Sequence, residues 1–494
     1  VMEAFFMSLD QLFNPFTLLT LFAGVIGGII AGALPGLTAT MGVAILVPFT
    51  FAMPPVPGIL MLLGLYAGAI YGGSIAAILI RTPGTPSAAA TVLDGSPLFD
   101  KGEGGRALGI ATLASVFSGI GSSIFLVFLA PLLSRVALSF SAPEYFALAV
   151  FGLTIIASIS GDSMTKGLLS GFFGLLIATI GVDPIQGYGR FTFGTINLLD
   201  GVAFIPALIG LFAFAEVLNQ FEELIEPKKV SYSLKNLIPS KEDIKTVIGI
   251  LIKSTFIGTF VGALPGAGGD IASFVCYNEA KRSSKHPEKF GTGIIEGVAA
   301  AEAGNNSSTG GALIPTLSLG IPGDSVTAVI IGALMIQGLR PGPLLFRDNL
   351  DIVYAIFMGF FLANVFMGIF GLMGAGFLAK IVTMSKRVLM PIVMILAVVG
   401  SFAINNSIFD IGVMMILGVI GYLMQKIDIP MGPIVLALIL GPMAESNFRR
   451  ALIMSRGSFT IFLTRPISLV LIILSVISLV GAFLRQNKGE NKQS

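Results

Sequence analysis

GALPGAGGDIASF, residues 262 to 274, sets a proline and a run of glycines inside an otherwise apolar segment and follows them with an acid. Proline lacks an N–H and disfavours helix in the residue before it, while glycine relaxes the backbone, so a helix entering LPGAGG must break there. GALPG also occupies residues 32 to 36, so the same break is written twice.

The surroundings are those of a membrane protein. Of 494 residues, 54% are hydrophobic and 11% charged, against about 25% charged in soluble domains. Stretches such as Ala107 to Leu133 and Ile467 to Leu484 match the roughly 20 residues a helix needs to cross the hydrocarbon core. Only helices or closed barrels span, and long continuous apolar runs speak against the short alternating strands of a barrel. The expected fold is an all-α polytopic membrane bundle, with lipid as its surroundings.

The first residues, VMEAFFMSLDQLF, carry acids and no Lys or Arg, so they lack the basic region of a cleavable signal and the first hydrophobic segment is expected to stay. The single cysteine, Cys276, rules out an internal disulfide framework and is assigned to packing. The single histidine, His286, falls in the charged stretch KRSSKHPEKF and is assigned to a solvated loop. A net charge of +2 gives no reason to expect a nucleic-acid partner. No G-x-x-x-x-G-K-[ST] pattern and no His/Cys metal constellation occurs, so neither ATP hydrolysis nor another enzyme chemistry is expected, and no cofactor beyond bound sodium.

Three anchors recur in the same order in both halves. Gly32 to Gly36 returns at Gly262 to Gly266, a shift of 262 − 32 = 230; Pro83-Gly84 returns at Pro322-Gly323, a shift of 239. Pro143, Leu148 to Val150, Gly152 and Asp162 return at Pro391, Leu396 to Val398, Gly400 and Asp410, each shifted by 248. Small insertions explain the drift, and the pattern reads as a duplication. Residues 1–226 form the first transmembrane repeat, 227–245 a basic linker, and 246–494 the second repeat with an extra C-terminal helix.

Lysine and arginine accumulate in cytoplasmic loops. The linker holds Lys228, Lys229, Lys235, Lys241 and Lys245, and the next loop holds Lys281, Arg282, Lys285 and Lys289. The segment Thr246 to Ala280 between them is therefore expected to be a hairpin, spanning or re-entrant, that turns at its LPG. Its counterpart, Pro15 to Met53, has no basic flank and is expected to open outward. Crossings near 59–80, 107–133, 144–160, 165–182 and 198–220 then carry an outside N-terminus to the cytoplasmic linker, which makes the halves inverted and puts the C-terminus in the cytoplasm. Arg340, Arg347, Arg449, Arg450 and Arg456 fall outside in this topology, against the general bias.

Broken backbone at membrane depth is tolerated only inside protein or against water-filled cavities, and transporters place substrates and ions at such breaks. The hairpin tips are Leu34, Pro35, Gly36 and Thr38, and Leu264, Pro265, Gly266, Gly268, Gly269 and Asp270. A second pair of breaks is richer in polar groups. The first presents Ser74, Arg81, Thr82, Pro83, Gly84, Thr85 and Ser87. The second presents Asn305, Asn306, Ser307, Ser308, Thr309, Thr316, Ser318, Pro322, Gly323, Asp324 and Ser325. Hydroxyls and amides donate to carboxylates, and their oxygens hold small hard cations; the competing reading is that small residues merely permit close helix packing. Arg81 either clamps a carboxylate or snorkels to the surface. Asp270 and Asp324 are candidate sodium sites or helix caps. Asp162 and Asp410, at loop edges, are assigned first to capping.

GALPGLTATMGVAILVPFTF, GALPGAGGDIASFVCYNEAKR and the GNNSSTGG to IPGDS stretch resemble the large membrane subunit of the tripartite tricarboxylate transporters, over about residues 15 to 485. The family's GxLPGxGG pattern maps onto Gly262, Leu264, Pro265, Gly266, Gly268 and Gly269; the first copy departs from it at Leu37, Thr38 and Ala39. The resemblance implies a bacterial inner-membrane secondary transporter for citrate-like or other carboxylates, coupled to sodium or protons. It also implies a small membrane subunit and a periplasmic solute-binding protein as partners. The expectation is an elevator-like importer whose site lies between the breaks at Pro83 and Pro322, the elevator part resting on analogy. A passive anion channel and a non-transporting scaffold or receptor are the alternatives.

Overall fold

The computed structural model describes residues 2–159, 163–183, 185–222, 236–382, 384 and 386–493. Asp162 and the linker residues Lys228, Lys229 and Lys235 lie outside the described residues.

Helix α1 (Met2–Leu12) leads into the first hairpin, α2 (Pro15–Ala33) and α3 (Ala39–Thr50). Pro15 opens α2 where no backbone donor is needed, and Asn14 caps it by accepting from the Phe16 N–H at 2.9 Å. At GALPG the helix stops: Gly36 takes φ 95°, and Thr38 caps α3 by accepting from the Met41 N–H at 3.2 Å. The nearly fully buried α4 (Pro55–Ile80) follows, then a 3-10 turn (Pro86–Ala88), α5 (Ala89–Leu98) and the long α6 (Gly104–Ala137). After them come α7 (Ala142–Ile159), α8 (Met164–Ala178), an antiparallel pair of two-residue strands, β1 (Gly181–Val182) and β2 (Gly189–Arg190), α9 (Phe204–Leu208), and a π-helical turn (Ile209–Phe214) that runs into α10 (Ala215–Glu222).

The second half repeats the plan. Its hairpin is α11 (Lys241–Gly262) and α12 (Gly268–Ser283), followed by α13 (Ile295–Leu319), α14 (Ser325–Ile336), α15 (Pro343–Asp348) and α16 (Leu350–Ile381). α17 (Lys386–Asn405), α18 (Ile408–Lys426), α19 (Gly432–Met454), α20 (Ile461–Thr464) and α21 (Pro466–Gln493) complete the chain. Among the described residues, eight helical runs are long and apolar enough to cross a membrane. In each hairpin the first arm meets that test, with 19 and 22 residues, and the second arm, with 12 and 16, is shorter.

The chain forms two compact units, and each draws on both halves. One comprises residues 1–134 and 216–400, the other 135–215 and 401–494. In the first, α2 lies against α4 so closely that glycines are required. A Cβ at Gly28 would sit 2.3 Å from the Leu65 carbonyl, one at Gly32 2.0 Å from Ala69 O, and one at Gly72 2.4 Å from Ile29 O. The second half packs α11 on α13 at the shifted positions: Gly258 meets Gly304 O at 2.6 Å, Gly262 meets Ser308 O at 2.3 Å, and Gly311 meets Thr259 O at 2.2 Å. Adding 230 to each hairpin number and 239 to each α4 number converts the first three contacts into the second three. The two helix pairs thus share one packing register, built from small residues at four-residue spacing.

The hairpins also cross between halves. α3 packs on α14, whereas α12 packs on the 3-10 turn and α5. In the other unit, α7 lies against α19 and α21, α8 against α19, and α18 against the Phe204–Phe214 segment. There β1 and β2 carry an ion network: Asp183 accepts from the Ile185 and Gln186 N–H groups at 2.9 and 2.8 Å and from Arg449 at 2.6 Å. Glu445 takes both arms of Arg190, at 2.6 and 3.2 Å. The Gln186 N–H leads, with Ile185 and Arg449 adding, in holding the buried Asp183 carboxyl down to about 2.

Candidate functional site

At the first break α4 ends with Arg81 in the left-handed region, φ 57°. Pro83 blocks further helix, and the Gly84 N–H turns back to donate to Gly73 O at 3.2 Å. A side chain at Gly84 is impossible, since its Cβ would lie 1.8 Å from Gly32 O in the first hairpin. The next residues run inward: Thr85 and Ser87 are buried, with their hydroxyl oxygens 3.1 Å apart.

At the second break α13 ends on Gly320, φ 72°, and Pro322 again prevents continuation. Asp324 starts α14 with a reciprocal cap: its Oδ1 accepts from the Thr327 N–H at 2.7 Å, and its own N–H donates to Thr327 Oγ1 at 2.9 Å. The other carboxylate oxygen accepts from the hydroxyl of Tyr66, a fully buried residue of α4. Asp324 is therefore a cap and also a link between halves.

The second hairpin tip closes on both breaks. The Gly266 N–H donates to Gly323 O at 2.7 Å. A Cβ at Gly268 would be 3.3 Å from the Asp324 Cβ, and one at Gly269 would be 2.8 Å from Asn305 Oδ1, 3.0 Å from Ser87 Cβ and 3.1 Å from Ser308 Oγ. Three helical N-terminal turns thus meet: that of α12 at Gly268 and Gly269, that of α14 at Asp324, and the 3-10 entry to α5 at Ser87. Those of α12 and of the entry to α5 bring backbone N–H groups without a helical partner and the positive end of a peptide-dipole array, whereas the Asp324 carboxylate already caps that of α14. Asn305 lies among them, fully buried, with neither side-chain atom hydrogen-bonded among the described residues. Asp270, in the first turn of α12, keeps an exposed carboxylate and accepts the Ser273 hydroxyl on its carbonyl at 3.1 Å.

Other polar residues of the breaks are turned elsewhere. Ser307, Ser308, Thr309, Thr316 and Ser318 each donate to a carbonyl of α13 at 2.6 Å, which satisfies the hydroxyl hydrogens inside the helix. Ser74 does the same to Tyr71 O at 2.7 Å. Asn306 faces α16, its amide 3.5 Å from Met367 Sδ. Ser325 is half-buried beside Asp324, and Leu264 is exposed on the far side of the tip. The first tip, at Leu34, Pro35 and Gly36, reaches Gln220: a Cβ on Gly36 would be 2.7 Å from its Nε2.

Two expectations need correction. Arg81 does not enter the cluster: its side chain is exposed, like its neighbour Thr82, and pairs with Asp100. The left-handed turn at the end of α4 turns the guanidinium outward. Asp410 is not the cap of α18; Ser407 is, accepting the Asp410 N–H at 3.4 Å, and the Asp410 carboxylate accepts instead from Asn405 Nδ2 at 2.7 Å. Cys276 is buried, with Sγ 3.5 Å from Ser254 O, and His286 lies in an exposed turn with Nδ1 3.3 Å from Glu288.

Tyr66, Asp94 and Glu302 are hard to single out from the sequence. Asp94 is buried on α5 and accepts from Tyr277 OH at 2.9 Å and from the N–H groups of Gly291, Gly293 and Ile294 at 3.0, 2.7 and 3.1 Å, which fixes the chain entering α13. Glu302 is fully buried and accepts from Thr91, and from Ser115 at 3.2 Å. The only signal for either was an acid inside an apolar segment.

A multi-pass helical membrane protein whose broken helices converge on a buried polar cluster has the build of a transporter. The chain matches the Tripartite tricarboxylate transporter TctA family over residues 18–436 and belongs to it, a family of transporters and not of enzymes. An uncharacterized 52.8 kDa protein of the TAR-I ttuC' 3' region of Agrobacterium vitis is 39% identical over 471 residues, 95% of this chain and 94% of that one. An uncharacterized protein of the TAR-II ttuC' 3' region of the same organism is 36% identical over 236 residues, 48% of this chain and 98% of that one. No solved structure matches.

Proposed function

We propose that the chain is the large membrane subunit of a secondary transporter importing tricarboxylates or related organic carboxylates across a bacterial inner membrane. It works with a small membrane subunit and a periplasmic binding protein, as the tripartite family implies. The observation that carries the reading is the convergence of the N-terminal turn of α12 and the entry to α5 on the buried Asn305 amide. Such ends attract anions, and an uncommitted amide supplies a donor without a competing partner. Among the described residues no Lys or Arg pairs with Asp324 or Asp270. Recognition here rests on neutral donors, and the acids Asp270 and Asp324 are the places for a sodium ion accompanying the substrate. An inverted relation of the halves, with periplasmic N-terminus and cytoplasmic C-terminus, suits alternating access, and elevator motion is one form of it.

The test is uptake of a labelled tricarboxylate into proteoliposomes holding the complete transporter and its binding protein. Asn305→Ala, Ser87→Ala and Asp324→Ala are each expected to reduce uptake at subsaturating substrate about tenfold or more, the worth of one hydrogen bond to a charged group. Normal uptake by all three would sink the site. Uptake that persists without ion gradient or binding protein would make the chain a passive channel.

A further inference from the structure

Glu302 stands outside the cluster just described, and its surroundings pose a separate problem. Its carboxylate is fully buried, and its oxygens accept from hydroxyls: Oε1 from Thr91 on α5, Oε2 from Ser115 on α6 at 3.2 Å. It takes part in no ion pair among the described residues. The titratable groups on the elements around α13 supply no cation: Asp94 of α5 and Tyr277 of α12 bond each other, Tyr71 of α4 bonds Thr112 of α6, and Cys276 of α12 rests on Ser254 O. The basic groups Arg106 of α6 and Lys253 of α11 are committed to Glu103 with Asp243, and to Glu279, while Lys241 and Lys245 of α11 and Lys281 and Arg282 of α12 are exposed. A carboxylate in such a place is strongly disfavoured if left charged and alone, and two hydroxyl bonds do not offset that. A single positive charge does, whether a proton on one oxygen or a small ion held by the oxygens.

We propose that Glu302, with Thr91 Oγ1 and Ser115 Oγ, binds one monovalent cation, a proton or a sodium ion, at a site distinct from Asp270 and Asp324. Among the described residues no group of three or more His, Cys, Asp and Glu exists, so the donor set suits a single charge and not a transition metal. The location links ion and cluster: Thr91 follows Ser87 by one turn, and Glu302 precedes Asn305 by one. Occupancy ties α5, which descends from the first break, to α13, which leads to the second. Vacancy leaves a buried charge that pushes the three helices apart, so the ion controls whether the cluster is assembled. That use of the site rests on the transport reading; the site itself does not.

The test therefore uses no substrate. The full chain is purified with Asp270→Asn and Asp324→Asn already in place, to silence those acids. Its thermal midpoint is followed with a thiol-reactive fluorophore, since Cys276 is the sole cysteine and buried. Sodium is exchanged for choline at fixed ionic strength, and the pH is stepped from 5 to 8 in choline. A sodium site gives a midpoint that rises with sodium and saturates. A proton site gives one that falls as pH rises, indifferent to sodium. Glu302→Gln, isosteric and permanently neutral, is expected to lose whichever response the parent shows and to be the more stable in choline at pH 8. Parent and Glu302→Gln responding alike to both variables would overturn the proposal. Should that variant fail to fold, the paired Thr91→Val and Ser115→Ala changes keep the carboxylate. They are expected to shift the half-saturating cation concentration at least tenfold, and an unchanged value overturns the proposal equally. Uptake results leave this outcome untouched, so failure of the transport reading and failure of the ion site are told apart.

Discussion

Replacing one small residue by the next larger tests the packing register of the two hairpins. Gly32→Ala would put a methyl 2.0 Å from Ala69 O, and Gly262→Ala one 2.3 Å from Ser308 O. Nonbonded contact to carbon needs about 3.5 Å, so each helix pair must part by roughly an ångström over its closest stretch. The neighbouring atoms are backbone and cannot rotate away. Overpacking of this kind costs about 1–3 kcal/mol, and the two substitutions should cost similar amounts because the contacts are equivalent. Gly27 provides the control: it lies on α2 with nothing within 4 Å of a Cβ, so Gly27→Ala should stabilise by about 0.5–1 kcal/mol through helix propensity alone. The assay is the thermal midpoint of the purified chain, read from exposure of Cys276. Equal midpoints for Gly32→Ala, Gly262→Ala and the parent would refute the claim that both helix pairs meet backbone to backbone.

Three further outcomes follow from contacts already described. Arg81→Ala should leave tricarboxylate uptake within about twofold of the parent, since an exposed ion pair with Asp100 is worth at most about 1 kcal/mol; a tenfold loss would return Arg81 to the site. Asp94→Ala strands three backbone N–H groups and the Tyr277 hydroxyl, and should destabilise by on the order of 3 kcal/mol or more, seen as faster proteolysis between residues 284 and 294; unchanged digestion would refute its anchoring role. Asp183 has its folded value lowered to about 2, below the roughly 3.9 of an unfolded aspartate, so its stabilisation is present above pH 4 and disappears as pH falls toward 2. Acid titration of thermal stability should therefore be flatter in Asp183→Asn, and an identical acid loss would count against the network.

The breaks were legible because their cause is local. Proline and glycine act on their own backbone, so the stops near residues 34, 81, 264 and 320 could be placed from composition alone, and the repeat spacing carried through to the glycine contacts. Polar partnership across the chain was not legible. Tyr66 and Asp324 are 258 residues apart, and a tyrosine inside an apolar helix looks like packing until the second break is folded onto it. Density of hydroxyls does not reveal where their protons point. Ser307, Thr309, Thr316 and Ser318 spend their protons on their own helix, so the amide of Asn305 emerges as the uncommitted group. Arg81 illustrates a third limit: its charge could be read, but the left-handed turn that aims it outward is a property of the folded backbone.

The crossed packing of the hairpins, α3 on α14 and α12 on the turn before α5, has a consequence for ancestry. A chain with one copy of the repeat would keep α3 on α4 or α12 on α13 but would lose the surface that the other half now lends to the second arm. Two such chains, each lending its arm to the other, would satisfy both, which is the self-complementary logic of a two-fold homodimer. Fusion of two such genes would lock the stoichiometry and remove the entropic penalty of assembly. It also releases the copies from identity, which lets one tip keep Leu37 and Thr38 while the other carries Gly268, Gly269 and Asp270. The asymmetry between the tips is what a fused dimer permits and a symmetric one forbids.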